Sequence, residues 1–429
     1  MRIAVVGSGI AGLASAWLLS RGHEVTLYEA NDYLGGHTHT HAIELAGRQY
    51  AVDTGFIVHN PVHYPLLTQL FDELGVASQP TTMSFSVHNA ASGLEYNAAS
   101  LDSLFCQRRN LLSPRFLGMV RDLFRFYREA PALLDGPRNG PSLGDWLAEH
   151  RYGAAFRDEH LVPMASALWS APPAQILAFP ARYLVQFMAN HQMLQVAGRP
   201  EWRVVRGGSA SYVHALRHRW NVHERLNSPV RAIRRDGLGA IVASDTGSER
   251  YDQVVLACHS DQALALLADA SEREHAILGA IPYQSNDVVL HTDATLLPRR
   301  RKAWAAWNAY LPREAGAPCT VSYCMNLLQG LDAPAPFVVT LNRSEAIAPA
   351  KVLRRMHYRH PVYTQVSVAA QRRKHEIQGV NHTWFAGAYW GWGFHEDGMR
   401  SAVEVAAAFD VRWPAHKPTA LRRAAGAAA

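Results

Sequence analysis

The sequence is short of cysteine and has no long uninterrupted apolar run. Only four cysteines occur among its 429 residues, and no two of them form a C-x-x-C pair. This spacing gives neither a disulfide framework nor a zinc-binding pattern, and it is typical of a reducing cytosol. Glycines interrupt the N-terminal apolar segment, and no other stretch approaches the roughly 18 apolar residues of a membrane span. We therefore expect a cytoplasmic globular protein rather than a disulfide-rich or membrane-spanning one.

Charge is also sparse, at 18% of residues, but it is unevenly distributed. The formal net charge is +6, and cations cluster in the segments 108–128 and 299–302. No nucleic-acid-binding signature accompanies them, so nucleic acid is not an expected partner. One interpretation is a solvated surface. The other is peripheral docking on the anionic inner face of the plasma membrane, because apolar side chains alternate with the arginines. The predicted apolar stripe comprises Leu112, Phe116, Met119, Val120, Leu123, Phe124 and Tyr127.

The N-terminus carries a nucleotide-binding pattern. An apolar strand leads into a G-x-G-x-x-G turn at Gly7, Gly9 and Gly12, then a helix, then a second strand ending at Glu29. The glycines allow a tight turn and close approach of a diphosphate to the helix start, while an acid at this distance binds ribose. A signal-peptide core is the competing interpretation, but it does not require glycines at fingerprint spacing. The predicted contacts are Gly7, Ser8, Gly9, Ile10, Ala11, Gly12, Glu29 and Ala30.

A second glycine pair, Gly35-Gly36, follows the acid. With the segment Asp53-Thr54-Gly55-Phe56, it resembles the flavoprotein group that includes amine oxidases, phytoene desaturases and protoporphyrinogen oxidase. The resemblance implies FAD rather than NAD as the cofactor, and the sequence has no second G-x-G-x-x-G for a separate NAD(P)H domain. It further implies cofactor contacts at Gly35, Gly36, His37, Thr38, Thr54, Gly55, Phe56 and Val230.

A third glycine-rich segment, residues 383–399, resembles the C-terminal cofactor segment of the same group. We predict a strand, a loop and then a helix from Arg400 to Phe409, with Asp397-Gly398 at its start. The resemblance implies that this helix points at the flavin pyrimidine. No cysteine lies between Gly387 and Gly398, where some relatives attach the flavin, so non-covalent FAD is expected. The implied contacts are Gly387, Gly393, Phe394, His395, Asp397 and Gly398.

The alternation of α/β and helical stretches predicts an α/β fold with a discontinuous domain organisation. The expected architecture is a Rossmann-like FAD-binding domain of the GR2 (amine-oxidase) type and a discontinuous α+β substrate domain with a helical insertion. The FAD-binding domain is assigned to 1–80, 200–272 and 376–415. The substrate domain is assigned to 81–199 and 273–375, and residues 416–429 are expected to form a flexible tail.

Four short segments carry a more specific resemblance: residues 386–398, 53–56, 304–308 and 360–363. They resemble one bacterial subgroup of predicted NAD/FAD-binding proteins, often encoded beside methyltransferases like cyclopropane-fatty-acyl-phospholipid synthase. That resemblance implies oxidation or desaturation of phospholipid acyl chains, and a methyltransferase partner. The alternatives are a flavin amine oxidase and a non-redox, flavin-bound helper of the methyltransferase. Amine oxidases commonly place a lysine near the flavin, and the corresponding residues 282–288 contain none.

Proton transfer requires a base near the substrate, and three side chains are candidates. His395 and Glu396 lie in the C-terminal cofactor segment, and His59 follows Phe56. His37, His39 and His41 would share one face of a strand, but they lack a fourth ligand, so no metal site is predicted.

Overall fold

The computed structural model describes residues 1–137, 140–169, 171–314 and 318–413, so the predicted tail at 416–429 lies outside the described residues. The strands are Arg2–Val6 (β1), Glu24–Tyr28 (β2), Thr40–Leu45 (β3), Arg48–Asp53 (β4), Val58–His59 (β5), Ser78–Pro80 (β6), Phe85–Asn89 (β7), Leu94–Asn97 (β8), Arg203–Val205 (β9), Val222–Arg225 (β10), Val230–Asp236 (β11), Gly239–Ser244 (β12), Gly247–Tyr251 (β13), Gln253–Leu256 (β14), Tyr283–His291 (β15), Trp307–Leu311 (β16), Thr320–Cys324 (β17), Val338–Leu341 (β18), Val352–Pro361 (β19) and Thr383–Phe385 (β20). The α-helices are Ile10–Leu19 (α1), Pro65–Leu74 (α2), Leu101–Leu104 (α3), Pro114–Glu129 (α4), Leu143–Glu149 (α5), Ala154–Phe156 (α6), Val162–Trp169 (α7), Pro173–Ala178 (α8), Ala181–Asn190 (α9), Ala210–Arg217 (α10), Ser260–Leu266 (α11), Glu272–Leu278 (α12), Met325–Gln329 (α13), Gln365–Arg372 (α14) and His395–Ala408 (α15).

A parallel sheet forms the nucleotide-binding half, in the order β10-β2-β1-β14-β20. Its central strands are apolar on both faces, as expected where a parallel sheet is covered on both sides. Helices α1, α2, α10 and α15 contribute to the apolar cluster on one face, and α11 and α12 to the cluster on the other. All five strands come from the segments assigned to the FAD-binding domain, and the predicted Rossmann-like sheet is confirmed.

A seven-stranded sheet forms the second half, in the order β19-β15-β18-β17-β16-β7-β8. Its pairs are antiparallel except for β16 with β7, which is parallel. Every strand comes from the segments assigned to the substrate domain. The exact domain bounds stay a prediction, because strand membership alone does not define them.

The helices α3 to α9 form the predicted insertion and enclose an aromatic core of their own. Phe126, Phe156, Phe179 and Phe187 are buried there. The cluster continues onto the seven-stranded sheet at Val87 and Ala309, so the insertion and the sheet share one core.

Glycines allow two of the turns. Ala46-Gly47 joins β3 to β4 in a hairpin, and α2 ends at Gly75, whose φ of 71° is the left-handed C-cap conformation. The predicted start of the last helix was wrong: α15 begins at His395, five residues before Arg400. Ser209 directly precedes α10, but its hydroxyl donates to Asp53 instead of capping that helix.

Candidate cofactor site

The first glycine turn joins β1 to α1 with almost no room for side chains. Gly7 has φ of 99°, and a Cβ on Gly12 would lie 1.8 Å from the carbonyl oxygen of Gly7. At Gly9, by contrast, no atom from elsewhere in the described chain lies within 4 Å of a Cβ position. The turn is therefore closed on its protein side at Gly12 and open at Gly9, where a diphosphate would approach.

Helix α1 starts without a partner for its positive end. Gly9 is its N-cap, no described side chain caps it, and its first turn holds no acidic residue. All ten residues of the helix are buried. A buried helix start with unpaired N–H groups requires a ligand, and its dipole favours an anion.

Glu29 follows β2 directly and faces the glycine turn. Its Oε2 accepts from the backbone N–H and the hydroxyl of Ser8, at 3.0 and 2.5 Å. Its Oε1 accepts from the backbone N–H and the side-chain amide of Asn31, at 2.9 and 2.7 Å. The carboxylate is thereby held beside the turn, where a ribose hydroxyl would compete with Asn31. Its neighbour Ala30 is exposed.

The second glycine pair packs directly on the first turn. The backbone N–H of Gly35 donates to the Ser8 carbonyl at 3.1 Å, and a Cβ on Gly36 would lie 3.1 Å from the Cα of Gly9. The two glycine motifs therefore lie against each other in the structure. Of the next residues, His37 contacts Tyr358 and His360 on β19 of the second sheet, whereas the Thr38 hydroxyl bonds to Tyr212 on α10.

The segment 53–56 lies alongside His37 and contacts both the nucleotide-binding half and the half that contains the seven-stranded sheet. A Cβ on Gly55 would lie 2.0 Å from the His37 carbonyl oxygen, which accepts from the N–H of Phe56 at 2.7 Å. Buried Asp53 accepts from Ser209 in the first half and from the Gln329 side chain in the second. Burial raises the pKa of Asp53 to about 6.

Helix α15 crosses the start of α1 at Gly398. A Cβ there would lie 2.6 Å from the Cγ2 of Ile10, so only glycine allows this approach. The crossing brings the beginnings of the two helices together. Ala11 packs at the same crossing.

His395 is the first residue of α15, and its side chain is partly buried. Its ring stacks on Phe56 with centroids 3.7 Å apart, and its Nε2 lies 3.0 Å from the Thr38 hydroxyl. Burial, with a smaller effect of His59, lowers its pKa to about 3. The side chain is therefore neutral at physiological pH and can accept a proton only from a group it touches.

Glu396 and Asp397, in the same helical turn, have structural partners. The two oxygens of Glu396 accept from the N–H groups of Leu66 and Leu67 at 3.0 and 3.1 Å, so Glu396 caps α2 from outside. Burial raises the Glu396 pKa to about 7. Asp397 accepts from the N–H of Trp392 at 2.9 Å and folds the glycine loop onto its own helix. A catalytic role for Glu396 stays a prediction, and this geometry favours the capping role.

His59 is buried against Phe71 and Phe56. Its Nδ1 has no hydrogen-bond partner among the described residues, and burial lowers its pKa to about 4. Its ring and that of His395 both lie against Phe56, so the two sequence candidates are near neighbours. Both stay predictions as proton acceptors.

A group of histidines escaped the sequence analysis. The ring of His37 lies 5.3 Å from His360 on β19 and 6.0 Å from His259 at the start of α11. Asn286, buried on β15, donates its amide to the Nδ1 of His360 at 2.9 Å, which orients that ring. Burial lowers the pKa of His259 and of His360 to about 4. Only the fold joins these positions, and the one sequence signal was the loose correspondence of residues 282–288 to the lysine-bearing strand of amine oxidases.

The remaining predicted contacts lie near Glu29 or beside the start of α15. Val230 starts β11, and the N–H of the nearby Ser228 donates to the Glu29 carbonyl, which places this strand beside the ribose acid. Gly387 is extended, and its N–H donates to Ser401 on α15 at 2.8 Å. Gly393 has φ of 88°, and a Cβ there would lie 2.7 Å from the Tyr363 hydroxyl. Phe394 packs between α15 and the helical insertion.

A test of cofactor fit comes from buried polar atoms that have no partner in the described part of the chain. Such atoms cost free energy unless a ligand or water satisfies them. Those in this region are His37 Nε2, His59 Nδ1, His259 Nδ1, Ser260 Oγ, Tyr389 Oη and Trp392 Nε1. With the open side of Gly9 and the uncapped start of α1, they fit a long polar ligand such as FAD. Among the described residues no group of three or more His, Cys, Asp or Glu side chains is arranged to hold a metal ion.

Comparison with known proteins gives the same assignment. A sequence model described as flavin-containing amine oxidoreductase matches residues 10–308. A flavin-containing monoamine oxidase, AofH, of Mycobacterium tuberculosis is 29% identical over 59% of this chain and 56% of its own length. A carotenoid phi-ring synthase of Streptomyces griseus is 30% identical over 63% of this chain and 54% of its own. The chain spans about half the length of these curated relatives.

Solved structures share the fold at lower identity. Cyclohexylamine oxidase from Brevibacterium oxydans is 18% identical with a TM-score of 0.67, and the match covers 95% of this chain and 98% of that one. A fatty acid isomerase from P. acnes that produces CLA is 15% identical with a TM-score of 0.65, at the same coverage. The glycine motifs, the sheet order and the family match lead to one assignment: the chain belongs to the family of flavin-containing amine oxidoreductases, and its cofactor is FAD.

Proposed function

We propose that this protein is an FAD-dependent oxidoreductase that desaturates or oxidises acyl chains of membrane phospholipids. One carbon would lose hydrogen with its electron pair, as hydride, to FAD. The adjacent carbon would lose a proton to a base, and a carbon–carbon double bond would form. An external two-electron acceptor, such as dioxygen or a quinone, would then restore the oxidised cofactor.

The aromatic wall beside the C-terminal cofactor segment carries this proposal. Phe187 of the insertion stacks on Phe394 with centroids 5.1 Å apart, and Trp169 donates its indole N–H to the Trp392 carbonyl. The nearest carboxylate, Asp397, is turned toward backbone N–H groups and Arg400. A hydrocarbon chain gains from such a surface, whereas a substrate cation would find no free carboxylate among these residues.

The relatives give independent support for an apolar substrate. Besides the carotenoid phi-ring synthase, a 1-hydroxycarotenoid 3,4-desaturase of Flavobacterium is 34% identical over 25% of this chain. The fatty acid isomerase shares the fold along nearly the whole chain. Carotenoids and fatty acids both present unactivated or allylic C–H bonds to a flavin.

Neutral histidines supply the proton acceptor in this scheme. His360, oriented by Asn286, and His395 are both held uncharged by burial, with pKa values of about 4 and about 3. A base works in its deprotonated form, so turnover is expected to hold as the pH falls and to drop only as it passes through about 4. A base with an ordinary histidine pKa would lose activity below about 6.5.

The second candidate is oxidation of a small amine, which the family match and the monoamine oxidase relative favour. Stacked Tyr183 and Tyr363, 5.1 Å apart, could attract a cation through their ring faces. Residues 282–288 lack the lysine of amine oxidases, which is why this candidate ranks second. A third candidate is a non-redox, flavin-bound helper of a lipid methyltransferase.

Anaerobic reduction of the bound flavin separates these candidates. The FAD-loaded protein is mixed with detergent-dispersed phospholipids bearing saturated or unsaturated acyl chains, or with primary amines, and bleaching of the visible flavin band is followed. We expect bleaching by lipid, with an olefinic product in the mass spectrum. Bleaching by amines alone would overturn the lipid substrate. No bleaching by either, together with binding to the methyltransferase, would favour the helper role.

A further inference from the structure

The two cationic segments of the sequence meet on one surface. Asp102 pairs with both Arg108 and Lys302, and Glu95 on β8 accepts from the backbone N–H groups of Arg299 and Arg300. We call the surface formed by residues 101–128 and 299–304 the basic face. It lies at the β8 edge of the seven-stranded sheet, away from the parallel sheet that holds the cofactor motifs.

Apolar side chains project from the basic face into solvent. Part of the predicted stripe was wrong, because Phe116 and Met119 are buried in the core of the insertion. Two members of the stripe are strongly exposed, Leu112 by 88% and Phe124 by 54%. Leu101, outside the predicted stripe, is exposed by 76%. Isolated exposed apolar residues are ordinary, but several grouped on one face mark an interaction site.

The charge of the basic face is predominantly positive. Ten cations lie on it, namely Arg108, Arg109, Arg115, Arg121, Arg125, Arg128, Arg299, Arg300, Arg301 and Lys302. They contact five carboxylates, of which Glu95, Asp122 and Glu159 are buried and only Asp102 and Glu129 reach the surface. Arg301 lies 4.2 Å above the ring of Trp304, an indole of the kind that favours membrane interfaces.

We propose that the basic face docks on the surface of an anionic lipid bilayer. Cations would meet the lipid phosphates while Leu101, Leu112 and Phe124 enter the headgroup region. An acidic protein partner would use the cations but would not by itself explain exposed leucines among them. Of the helices in the described ranges, none is long and apolar enough to cross a membrane, so this contact would be peripheral. The proposal rests on the lipid function proposed above and deepens it, because docking would hold the enzyme at the bilayer that contains its substrate.

Vesicle co-sedimentation of the FAD-loaded protein tests it without any turnover. The vesicles are phosphatidylcholine with or without phosphatidylglycerol, at low and high salt. We expect binding only to anionic vesicles, weakened by salt, since screening acts on exposed charges. Absence of binding at low salt, or equal binding to both vesicle types, would overturn the proposal.

Two matched pairs of variants locate the surface. The first pair tests charge. Arg299→Glu with Arg300→Glu should lower vesicle affinity at least about tenfold, whereas the control, Arg354→Glu with Arg355→Glu on the opposite edge strand β19, should leave it unchanged.

The second pair tests the apolar contact. Leu112→Glu should weaken vesicle binding, whereas the control Leu238→Glu, at a turn residue exposed by 79%, should leave it unchanged. The flavin spectrum reports that each variant is folded. Equal losses in test and control variants would overturn the assignment.

The outcome is separable from that of the proposed function. Vesicle binding without flavin reduction by lipid would refute the substrate and leave the docking surface standing. Flavin reduction by detergent-dispersed lipid without vesicle binding would support the lipid substrate and refute the docking surface. Binding of an acidic polypeptide such as polyglutamate as tightly as anionic vesicles, with no effect of Leu112→Glu, would replace the bilayer with a protein partner.

Discussion

The two helices that begin at the cofactor site, α1 and α15, differ in how their first turns are satisfied. Helix α1 has a glycine N-cap and no acid in its first turn, so its positive end is left for a ligand. Helix α15 carries Glu396 and Asp397 there, and both carboxylates are engaged by protein N–H groups. From this difference we expect the diphosphate of FAD to bind at α1, because the start of α15 is already satisfied by the protein itself.

The largest loss of stability is expected at Gly12, where the turn between β1 and α1 leaves no room for a side chain. Gly12→Ala would push a methyl group to within 1.8 Å of the Gly7 carbonyl, and backbone cannot yield as a side chain does. We expect a loss of more than about 3 kcal/mol in the free energy of unfolding, measured by denaturant or seen as insoluble protein. Gly22→Ala, in open space after the same helix, is the control. Wild-type stability of Gly12→Ala would show that the turn is not packed as described.

A substitution at Gly9, on the open side of the same turn, should change the affinity for FAD rather than the stability of the protein. Gly9→Ala meets no described atom and keeps a φ of −63° that alanine adopts freely, so the protein should fold normally. A methyl group facing the diphosphate should weaken FAD binding by about 10- to 100-fold, equivalent to about 1.4–2.8 kcal/mol. Flavin released on dilution measures this, and unchanged retention would place the diphosphate elsewhere.

At the crossing of the two helices, Gly398→Ala should cost about 1–3 kcal/mol of stability because it overpacks Ile10. The double variant with Ile10→Ala should be less destabilised than the sum of the two single changes, since both act on one contact. Thermal unfolding of the four proteins measures the coupling. Strict additivity would mean that the helices do not meet at these residues.

The smallest loss of stability is expected for a substitution at Glu396, in the first turn of α15. Glu396→Gln leaves one acceptor oxygen for the N–H groups of Leu66 and Leu67, and should cost about 0.5–2 kcal/mol of stability. If Glu396 only caps α2, turnover per folded molecule should be nearly unchanged. A large fall in kcat with unchanged stability would instead make it the proton acceptor.

The sequence was most informative where local chemistry is decisive. The glycine turn between β1 and α1 and the position of Glu29 after β2 follow from constraints that only a few residues meet, and the structure has both as predicted. The start of α15 was misplaced because glycine at 398 suggests the end of a loop. Within the fold that glycine is required by the close approach of Ile10.

Long-range and edge features were harder to predict. Strand β19 was missed, since its sequence is rich in arginine and histidine and only two of its ten residues, Met356 and Tyr358, are buried at this sheet edge. The contact between His37, His259 and His360 joins positions more than 100 residues apart, and no pattern along the chain records it. Buried neutral histidines look like surface histidines until the packing around them is known.

The order of strands in the parallel sheet has a consequence for how the chain acquires its structure. Strand β20 and helix α15 complete the sheet and the cover of α1, yet they lie more than 360 residues after β1. During synthesis α1, whose ten residues are all buried in the finished protein, must wait for that distant stretch. Such non-local closure is slow and leaves apolar surface open to aggregation. Early exposure of this helix makes the nascent chain a client for chaperones, and a ribosome stalled before β20 would release a chain unable to retain flavin.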